Sequence, residues 1–334
     1  MQKLLDTELS AMMLGLDRVF WAGNHPPLRR MASSGRIYDP DHDFRLPASL
    51  HGRFQAAMLV ERDLGLMKQW PVVLDEALRL LEPDGLLAVR ATTTPVVTNF
   101  EMKARLLAWT GGKIAPVSER RLEGGDVQSV FRLSMPVRPR PSLDGFSFCL
   151  ISDGRRIEAI EAFARSVHAM EGIDRIGYEI LVCGPASLRP VLARLGSRLR
   201  LVEDEGSFSD LGWITRKKNL LVRASGCENI LIAHDRYTLA TDFLACLGEF
   251  GPDFSVLTCR QETADGLRFP DWVTLGSAWS GTSPAMLPYG EYCRYLYVNG
   301  GLMIAKRDVL AKTCWYVLLF WMQAEDVELT RRLQ

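Results

Sequence analysis

The sequence has no excess of charge of either sign and no apolar run long enough to cross a membrane. Its 40 lysine and arginine residues balance 40 aspartate and glutamate residues, so no global field attracts nucleic acid or anionic lipid. The longest late apolar run, "CWYVLLFWM" at 314–322, is far shorter than the roughly 20 residues of a spanning helix. We therefore predict no nucleic-acid partner and no membrane span, and we regard this run as a candidate interface, including peripheral contact with a membrane.

The seven cysteines show no Cys-x-x-Cys pairing. Several of them lie inside apolar runs, as free buried thiols do. This pattern indicates a reducing compartment. We therefore expect a cytoplasmic protein, with peripheral association at the inner membrane face left open.

The length and one proline-rich segment predict two domains. A chain of 334 residues that is 47% hydrophobic and 24% charged is long enough for two hydrophobic cores. Three prolines in "SMPVRPRPSLDG" at 134–145 prevent a helix from continuing and favour extended backbone. We therefore predict a first domain at 1–138, a linker at 139–145 and a second domain at 146–334.

The first domain alternates predicted strands with predicted helices. Short apolar runs bounded by turn residues indicate the strands, and apolar residues at three- and four-residue spacing indicate the helices. The strands lie at 18–24, 35–40, 54–64 and 86–91, and the helices at 71–81 and 99–112. A Gly-Gly pair within 113–135 predicts a closing β-hairpin. This order is typical of an α/β sheet domain.

The segment "WPVVLDEALRLLEPDGLLAVR" at 70–90 resembles the late strand-helix-strand part of class I S-adenosylmethionine-dependent methyltransferases. The closing hairpin resembles the usual end of their sheet. The resemblance implies a Rossmann-like sheet with an S-adenosylmethionine site at Gly23 and Asp39. However, the family's glycine-rich turn is replaced by "WAGNHPPLRR", so a degenerate or scaffolding domain is the alternative to a methyl-donor site.

The second domain begins with strands and helices that alternate through short loops. The strands are predicted at 146–152, 178–184 and 199–204, and the helices at 156–170 and 187–196. Such alternation implies a parallel sheet, which binds its ligands at the carboxyl ends of the strands. We therefore expect the loops that follow these strands to form the site.

A cluster of basic residues opens the next predicted helix, at 216–225. Arg216, Lys217, Lys218 and Asn219 are its first residues. Cations at a helix N-terminus oppose the macrodipole, and an anionic partner such as a phosphate would offset both charges. The alternative is a solvated basic turn.

The apolar strand "NILIA" then ends in His234, Asp235 and Arg236, three side chains that are costly to bury together. A carboxylate and an imidazole at the end of a parallel strand can hold Mg²⁺ or Mn²⁺. Alternatively, Asp235 pairs with Arg236 or caps the next helix. Arg236 also leaves open a site that uses its own positive charge and needs no metal.

The order of these motifs resembles the nucleotide-sugar half of family 2 glycosyltransferases, which have the GT-A fold. The segment "YVNGGLMIAKRDVL" at 297–310 resembles the family's Gly-Gly strand, and "AEDVELTRRL" at 324–333 resembles its acidic helix. In isolation, a plain turn and a solvated helix would explain these two segments. The four motifs in order imply an α/β/α sandwich of the nucleotide-diphospho-sugar transferase type.

The resemblance implies a role for each group of site residues. It implies a divalent metal at Asp235 and His234, and a catalytic base at Asp326 or Glu325, with Asp326 preferred. The implied nucleotide-sugar contacts are Ser152, Asp153, Cys183, Gly184, Arg216, Lys218, Asn219, Gly300 and Gly301.

These roles imply a glycosyltransferase of the hexosyltransferase type. It would move a sugar from a nucleoside diphosphate sugar to a glycan or lipid-linked acceptor in polysaccharide biosynthesis, with inversion. The departing diphosphate needs a metal, Mn²⁺ or Mg²⁺, or fixed cations, and the acceptor hydroxyl needs a base.

Three departures from the family pattern keep alternatives open. The second strand ends in Cys183 and Gly184 in place of aspartate, "AHDR" has one aspartate in place of two, and the chain ends soon after 324–333, which suggests a fragment. The alternatives are a methyltransferase with a glycan-binding second domain, and a scaffold of two degenerate domains.

Overall fold

The computed structural model describes residues 7–23, 46–134, 142–204, 211–275, 284–289 and 295–333. The chain divides into two compact units, Met1–Pro139 with Gly290–Cys293, and Arg140–Tyr289 with Arg294–Gln334. The predicted linker at 139–145 begins outside the described residues, so its boundaries stay a prediction.

The first unit contains a five-stranded mixed sheet. Its helices are α1 (Thr7–Met13), α2 (Trp70–Leu80) and α3 (Asn99–Trp109), and its strands are β1 (Val19–Trp21), β2 (Phe54–Leu59), β3 (Leu81–Ala91), β4 (Ile114–Arg121) and β5 (Val127–Leu133). The strand order is β1-β2-β3-β5-β4. The first three strands are parallel, and β5 runs antiparallel to both of its neighbours.

Both faces of this sheet are buried. Helices α2 and α3 pack on one face, with Leu74 and Leu106 in that core, whereas Leu9 and Met13 of α1 pack on the other face. Because β2 and β3 are covered on both sides, their paired segments at 56–59 and 86–89 are continuously apolar. Apolar area removed from water in this way stabilises the unit by roughly 25 cal/mol per Å².

The predicted helices and the closing hairpin of the first unit are confirmed. The predicted strand at 54–64 is too long: β2 ends at Leu59, and Asp63 then accepts a hydrogen bond from the Gly65 N–H (2.8 Å) and caps a short 3₁₀ turn. The predicted strand at 35–40, with Asp39, lies outside the described residues.

The second unit contains a six-stranded sheet and a three-stranded sheet. Its helices are α4 (Ile157–His168), α5 (Arg189–Leu195), α6 (Ile214–Ala224), α7 (Phe243–Phe250), α8 (Arg307–Lys312) and α9 (Glu325–Leu333). The strands of the large sheet are β6 (Gly145–Ile151), β7 (Gly177–Gly184), β8 (Leu199–Glu203), β9 (Asn229–His234), β10 (Val256–Leu257) and β14 (Leu302–Lys306). Those of the small sheet are β11 (Trp272–Leu275), β12 (Pro284–Met286) and β13 (Leu296–Val298).

The large sheet has the order β10-β14-β9-β6-β7-β8. Strands β9, β6, β7 and β8 are parallel, which confirms the predicted parallel sheet, and β14 and β10 close one side in antiparallel pairing. Side chains of β6 alternate between two cores: Phe148 packs with α4, α5 and α7, and Cys149 packs with α6, α8 and α9. The arrangement is a three-layer α/β/α sandwich.

The apolar run at 314–322 forms turns rather than a helix. Its first tryptophan, Trp315, is 1% exposed, while Leu318 is 82% exposed and Trp321 is 60% exposed. No helix in the described part of the chain has the length and apolar character that crossing a membrane requires.

Two tryptophans of this run allow a matched test of the core that α6, α8 and α9 form against the large sheet, in which Trp315 is buried. We expect Trp315→Ala to lower the free energy of unfolding by about 3–5 kcal/mol, because it removes a buried ring and leaves a cavity. Trp321→Ala changes the same residue type at an exposed position and should change stability by about 0.5 kcal/mol or less. Urea unfolding followed by circular dichroism measures both, and equal losses in the two variants would contradict the burial of Trp315.

Candidate functional site

The carboxyl ends of four parallel strands meet at one edge of the large sheet. The N–H of Asp235, after β9, donates to the carbonyl of Ile151 (3.1 Å), and the N–H of Ser152, after β6, donates to the carbonyl of Cys183 (2.9 Å). A third bond joins the N–H of Asp204 to the end of β7 (3.0 Å). We call this the carboxyl edge, and it confirms that the predicted loops converge.

Asp235 is buried at the carboxyl edge, and both of its oxygens are engaged. Oδ2 accepts from the Ser152 hydroxyl (2.8 Å), and Oδ1 accepts from the Arg156 guanidinium (2.5 Å). The interpretation that Asp235 pairs with Arg236 is therefore wrong, because Asp235 forms its ion pair with Arg156. It does not cap the next helix either, since Asp242 precedes α7.

His234 ends β9 with a ring nitrogen, Nε2, that is buried and makes no hydrogen bond within the described residues. Burial, and after it the positive charges of Lys218, Arg236, Arg156 and Lys217 in that order of effect, lower the pKa of this imidazole to about 3. The ring is therefore neutral near pH 7. Its surroundings carry positive potential.

The basic start of α6 is not a solvated turn. Arg216 Nε donates to Asp204 Oδ1 (2.9 Å), and Lys217 Nζ donates to the Ser152 carbonyl (2.8 Å) and lies 3.8 Å from Asp204 Oδ2. Both Lys217 and Lys218 are buried. Asp204, at the end of β8, is thus the anion that offsets these cations against the helix dipole.

Three predicted motifs come together around Lys218, whose side chain is 1% exposed. Its Nζ donates to Glu325 Oε1 (3.1 Å) and to the Gly300 carbonyl (3.0 Å), and it lies 5.3 Å from the Trp315 ring centroid. A Cβ on Gly300 would lie 2.8 Å from Glu325 Oε1 and 3.0 Å from Lys218 Nζ. Glycine is needed there because the turn packs directly on the ion pair.

Asp326 lies beside this ion pair but is less buried than Glu325. Its Oδ2 accepts from the Gly300 N–H (3.0 Å), and its Oδ1 accepts from the Val327 N–H (2.9 Å). Burial raises the pKa of Tyr297 to about 12, and the neighbouring charges of Asp326 and Glu325 contribute. The two candidate bases therefore differ within the described residues: Glu325 pairs with a buried cation, and Asp326 accepts from backbone N–H groups.

Two predicted nucleotide contacts have side chains that belong to the core. The Asn219 amide accepts from the Trp315 N–H (3.0 Å) and donates to the Trp315 carbonyl (2.8 Å). Cys183 is fully buried, and burial raises its thiol pKa to about 12. Both side chains therefore point into the core, a direction that the sequence alone did not show.

The remaining predicted nucleotide contacts lie at the carboxyl edge and differ in how exposed they are to solvent. Ser152 is buried with Asp235, while the Asp153 side chain is 51% exposed beside Arg155. A Cβ on Gly184 would lie 2.7 Å from Leu188 Cδ1, so this glycine permits close packing of the strand end. Arg216 remains partly exposed.

A second polar network adjoins the carboxyl edge, and the sequence analysis did not identify it. The Tyr237 hydroxyl donates to Gln261 Oε1 (2.7 Å) and would lie 2.7 Å from a Cβ on Gly301. The Gln261 N–H in turn donates to Asp271 Oδ2 (2.9 Å). Asp271 borders a cavity of about 270 Å³ that is lined by Thr258, Cys259, Arg260, Asp271, Trp272 and Tyr289.

The donor set at His234 and Asp235 does not fit a divalent cation. Oδ2 of Asp235 already accepts from the Ser152 hydroxyl, and Oδ1 already accepts from the Arg156 guanidinium. The four charges with the largest effect on the pKa of His234 are cationic, and positive charge repels a metal ion. The described ranges contain no cluster of three or more His, Cys, Asp or Glu side chains that could hold one.

Gly23 of the first unit does not provide the open backbone that a methyl-donor site needs. A Cβ on Gly23 would lie 2.2 Å from Glu61 Oε2, and that oxygen accepts from Trp21 Nε1 (2.8 Å). The Glu61 carboxylate thus fills the space beside the glycine. These residues do not fit S-adenosylmethionine at this position, and Asp39 lies outside the described residues.

No known family and no curated protein matches the sequence. Among solved structures, the mannosyltransferase PcManGT from Pyrobaculum calidifontis, in complex with GDP-Man and Mn²⁺, is similar at 16% identity and a TM-score of 0.37, over 57% of this chain and 51% of that one. S. aureus TarS 1-349 is similar at 15% identity and a TM-score of 0.40, over 56% and 54%. The 4-diphosphocytidyl-2C-methyl-D-erythritol synthase of Anaerococcus prevotii has 11% identity and a TM-score of 0.37, over 57% and 82%.

The matched region spans about half the length of PcManGT and of TarS 1-349. At these identities and TM-scores, the similarities carry no assignment of activity.

The Lys218–Glu325 ion pair predicts a characteristic stability pattern. We expect Lys218→Met to lower the free energy of unfolding by about 3–5 kcal/mol, because it leaves a buried carboxylate without a partner. Adding Glu325→Gln should recover most of that loss, since the stranded charge is then gone. Urea unfolding of the single and double variants measures both effects.

Lys312→Met is the matched control, since this lysine is 79% exposed and pairs with Asp308 on the surface. It should change stability by about 0.5 kcal/mol or less. A double variant as unstable as Lys218→Met alone would show that the ion pair is not the origin of the loss.

Proposed function

We propose that the second unit is a glycosyltransferase of the GT-A type that takes a sugar from a nucleoside diphosphate sugar. The observation that carries this proposal is the convergence of Lys218, Gly300, Glu325 and Asp326 beside the carboxyl edge. These residues come from three separate segments of the chain. Their meeting at the ligand-binding end of a parallel sheet supports a common site.

Transfer breaks the bond between the sugar C1 and a diphosphate oxygen, and the electron pair goes to that oxygen. Fixed positive groups stabilise the developing charge better than mobile water does, because they need no reorganisation. Arg156 and Arg216 are partly exposed at the carboxyl edge. They are among the groups that we assign to the phosphates, whereas Lys217 and Lys218 act from within the buried network.

We assign the base role to Asp326. The acceptor hydroxyl must lose its proton as its oxygen bonds to C1, and a carboxylate at the site can accept that proton. Glu325 is committed to Lys218 in a buried pair, so proton transfer to it would strand a cation. Among the described residues, Asp326 accepts hydrogen bonds from backbone N–H groups only, and it is less buried. Glu325 is then a positioning residue.

A single displacement by the acceptor would invert the configuration at C1, and a carboxylate that acts as a base, as proposed for Asp326, is consistent with this course. We further propose a glycan or lipid-linked acceptor in polysaccharide synthesis, as the family resemblance implies. The cavity beside Asp271 and Trp272 is a candidate acceptor region, because sugars pack on aromatic rings and bond to polar side chains.

We propose that the first unit is a methyltransferase-like sheet that no longer binds its cofactor. The antiparallel β5 between β3 and β4 supports the sheet type. Glu61 beside Gly23 supports the loss of the cofactor site. Calorimetry with S-adenosylmethionine tests this assignment, and binding would favour the methyltransferase alternative.

Asp326→Asn tests the catalytic assignment. We expect the wild-type chain to release UDP or GDP from one member of a panel of UDP- and GDP-sugars, slowly with water or faster with a glycan acceptor. Asp326→Asn should lower that rate by about 100-fold or more, because it removes the base. Its affinity for the nucleotide should stay within about threefold, a difference of under 1 kcal/mol.

Glu328→Gln is the matched control on the same helix, where Glu328 pairs with Arg332 away from Gly300. It should keep the wild-type rate. Full activity of Asp326→Asn would remove the base role of Asp326, and absence of both nucleotide release and nucleotide binding would overturn the glycosyltransferase proposal itself.

A further inference from the structure

The carboxylate that ends β9 is already neutralised by a cation of the protein. Asp235 Oδ1 accepts from Arg156 Nη2 at 2.5 Å, and the Arg156 side chain is 56% exposed while Asp235 is 4% exposed. The guanidinium thus covers the solvent side of the carboxylate. Arg156 has five N–H donors, so donors remain for a second partner.

Arg236 adds a second guanidinium at the same strand end. Among the described residues, no carboxylate forms an ion pair with it, and its Cζ lies 5.9 Å from the ring centroids of both Tyr237 and Phe269. Arg236 is exposed. A guanidinium without a carboxylate, held over aromatic rings, is available to an anion from solution.

The neighbouring His234 imidazole also lies close to positively charged side chains. His234 Nε2 is buried without a hydrogen-bond partner in the described residues. The charges with the largest effect on this ring are cationic and belong to Lys218, Arg236, Arg156 and Lys217. A divalent cation would have to enter this positive environment and displace Arg156 from Asp235. An anion would be drawn to it.

We infer that Arg156 and Arg236 bind the diphosphate of the donor directly, with no divalent cation between the phosphates and Asp235. This inference rests on the proposed function and sharpens it. Asp235 then pairs with the Arg156 guanidinium rather than with a metal ion. Guanidinium groups match phosphate oxygens in pairs of parallel hydrogen bonds.

The transfer step balances without a metal. The acceptor oxygen bonds to C1 and its proton passes to Asp326, while the C1–O bond to the diphosphate breaks and its electron pair stays on the phosphate oxygen. The extra negative charge on the diphosphate develops beside Arg156 and Arg236. Fixed guanidinium groups stabilise the charge that develops on the departing diphosphate more than they stabilise the intact donor.

The direct test is whether binding of a diphosphate requires a divalent metal ion. Binding of UDP, GDP and inorganic pyrophosphate to the full chain is measured by calorimetry in excess EDTA and in excess Mn²⁺. We expect the Kd of the tightest ligand to agree within about threefold between the two buffers. Binding that appears only with Mn²⁺, or that EDTA weakens by about tenfold or more, would overturn the inference and leave the glycosyltransferase proposal intact.

Arg236→Gln tests the guanidinium, with Arg165→Gln as its matched control. Loss of one charge-assisted contact should weaken binding in EDTA by about tenfold or more. Arg165 is 68% exposed on the last turn of α4 and pairs with Glu161. Its replacement removes the same charge away from the carboxyl edge and should leave the Kd unchanged. Equal affinities of both variants would refute the role of Arg236.

Asp235→Asn separates the two interpretations by the sign of its effect. A metal ligand that loses its charge loses the metal and the diphosphate with it. In the arrangement inferred here, the same change removes a negative charge near the phosphates and frees Arg156, so binding in EDTA should stay within about threefold or become tighter. Loss of binding in a variant whose circular dichroism and melting temperature match the wild type would contradict the inference.

A chain that binds none of the three ligands in either buffer and releases no nucleotide from any donor would overturn the proposed function together with this inference. Metal-dependent binding would overturn the inference alone. The two failures are therefore distinguishable.

Discussion

The buried ion pair between Lys218 and Glu325 constrains the rest of the candidate site. Isolated charges are expensive to bury, by several kcal/mol each, so the pair is stable only in the geometry that satisfies both partners. Lys218 lies on α6, Glu325 begins α9, and the Gly300 carbonyl completes the contact. These three segments must therefore meet in one arrangement. That arrangement places Asp326 against the Gly300 N–H, at the less buried side of the pair.

The same principle organises the carboxyl edge. Each buried carboxylate holds a cation: Asp235 holds Arg156, Asp204 holds Arg216 and Lys217, and Glu325 holds Lys218. Basic residues at the start of α6 are tolerated because Asp204 offsets their repulsion with the helix dipole. Among the described residues Arg236 is left with aromatic neighbours and no carboxylate. A site with its anions already committed favours an anionic ligand over a metal.

Periodicity and turn residues predicted most of the helices and strands. Burial on one or both faces of an element imposes a regular spacing of apolar residues on the sequence. Element ends were harder to predict, as at 54–64, where the Asp63 cap stops the strand early. The motif residues Lys218, Gly300 and Asp326 were found because they recur in a recognisable order. Arg156 and Asp204 were missed because an arginine before a helix and an aspartate after a strand have no distinctive pattern.

Local patterns in the sequence were enough to predict the alternation of strands and helices, and therefore a parallel sheet whose loops meet at one edge. Which carboxylate binds which cation depends on how the chain folds in three dimensions. Arg156 and Asp235 are 79 positions apart, and Lys218 and Glu325 are 107 apart, so no local pattern could pair them. The strength of an ion pair depends on distance and burial in space. Those two quantities exist only after the chain has folded, and they decide which groups remain free for a ligand.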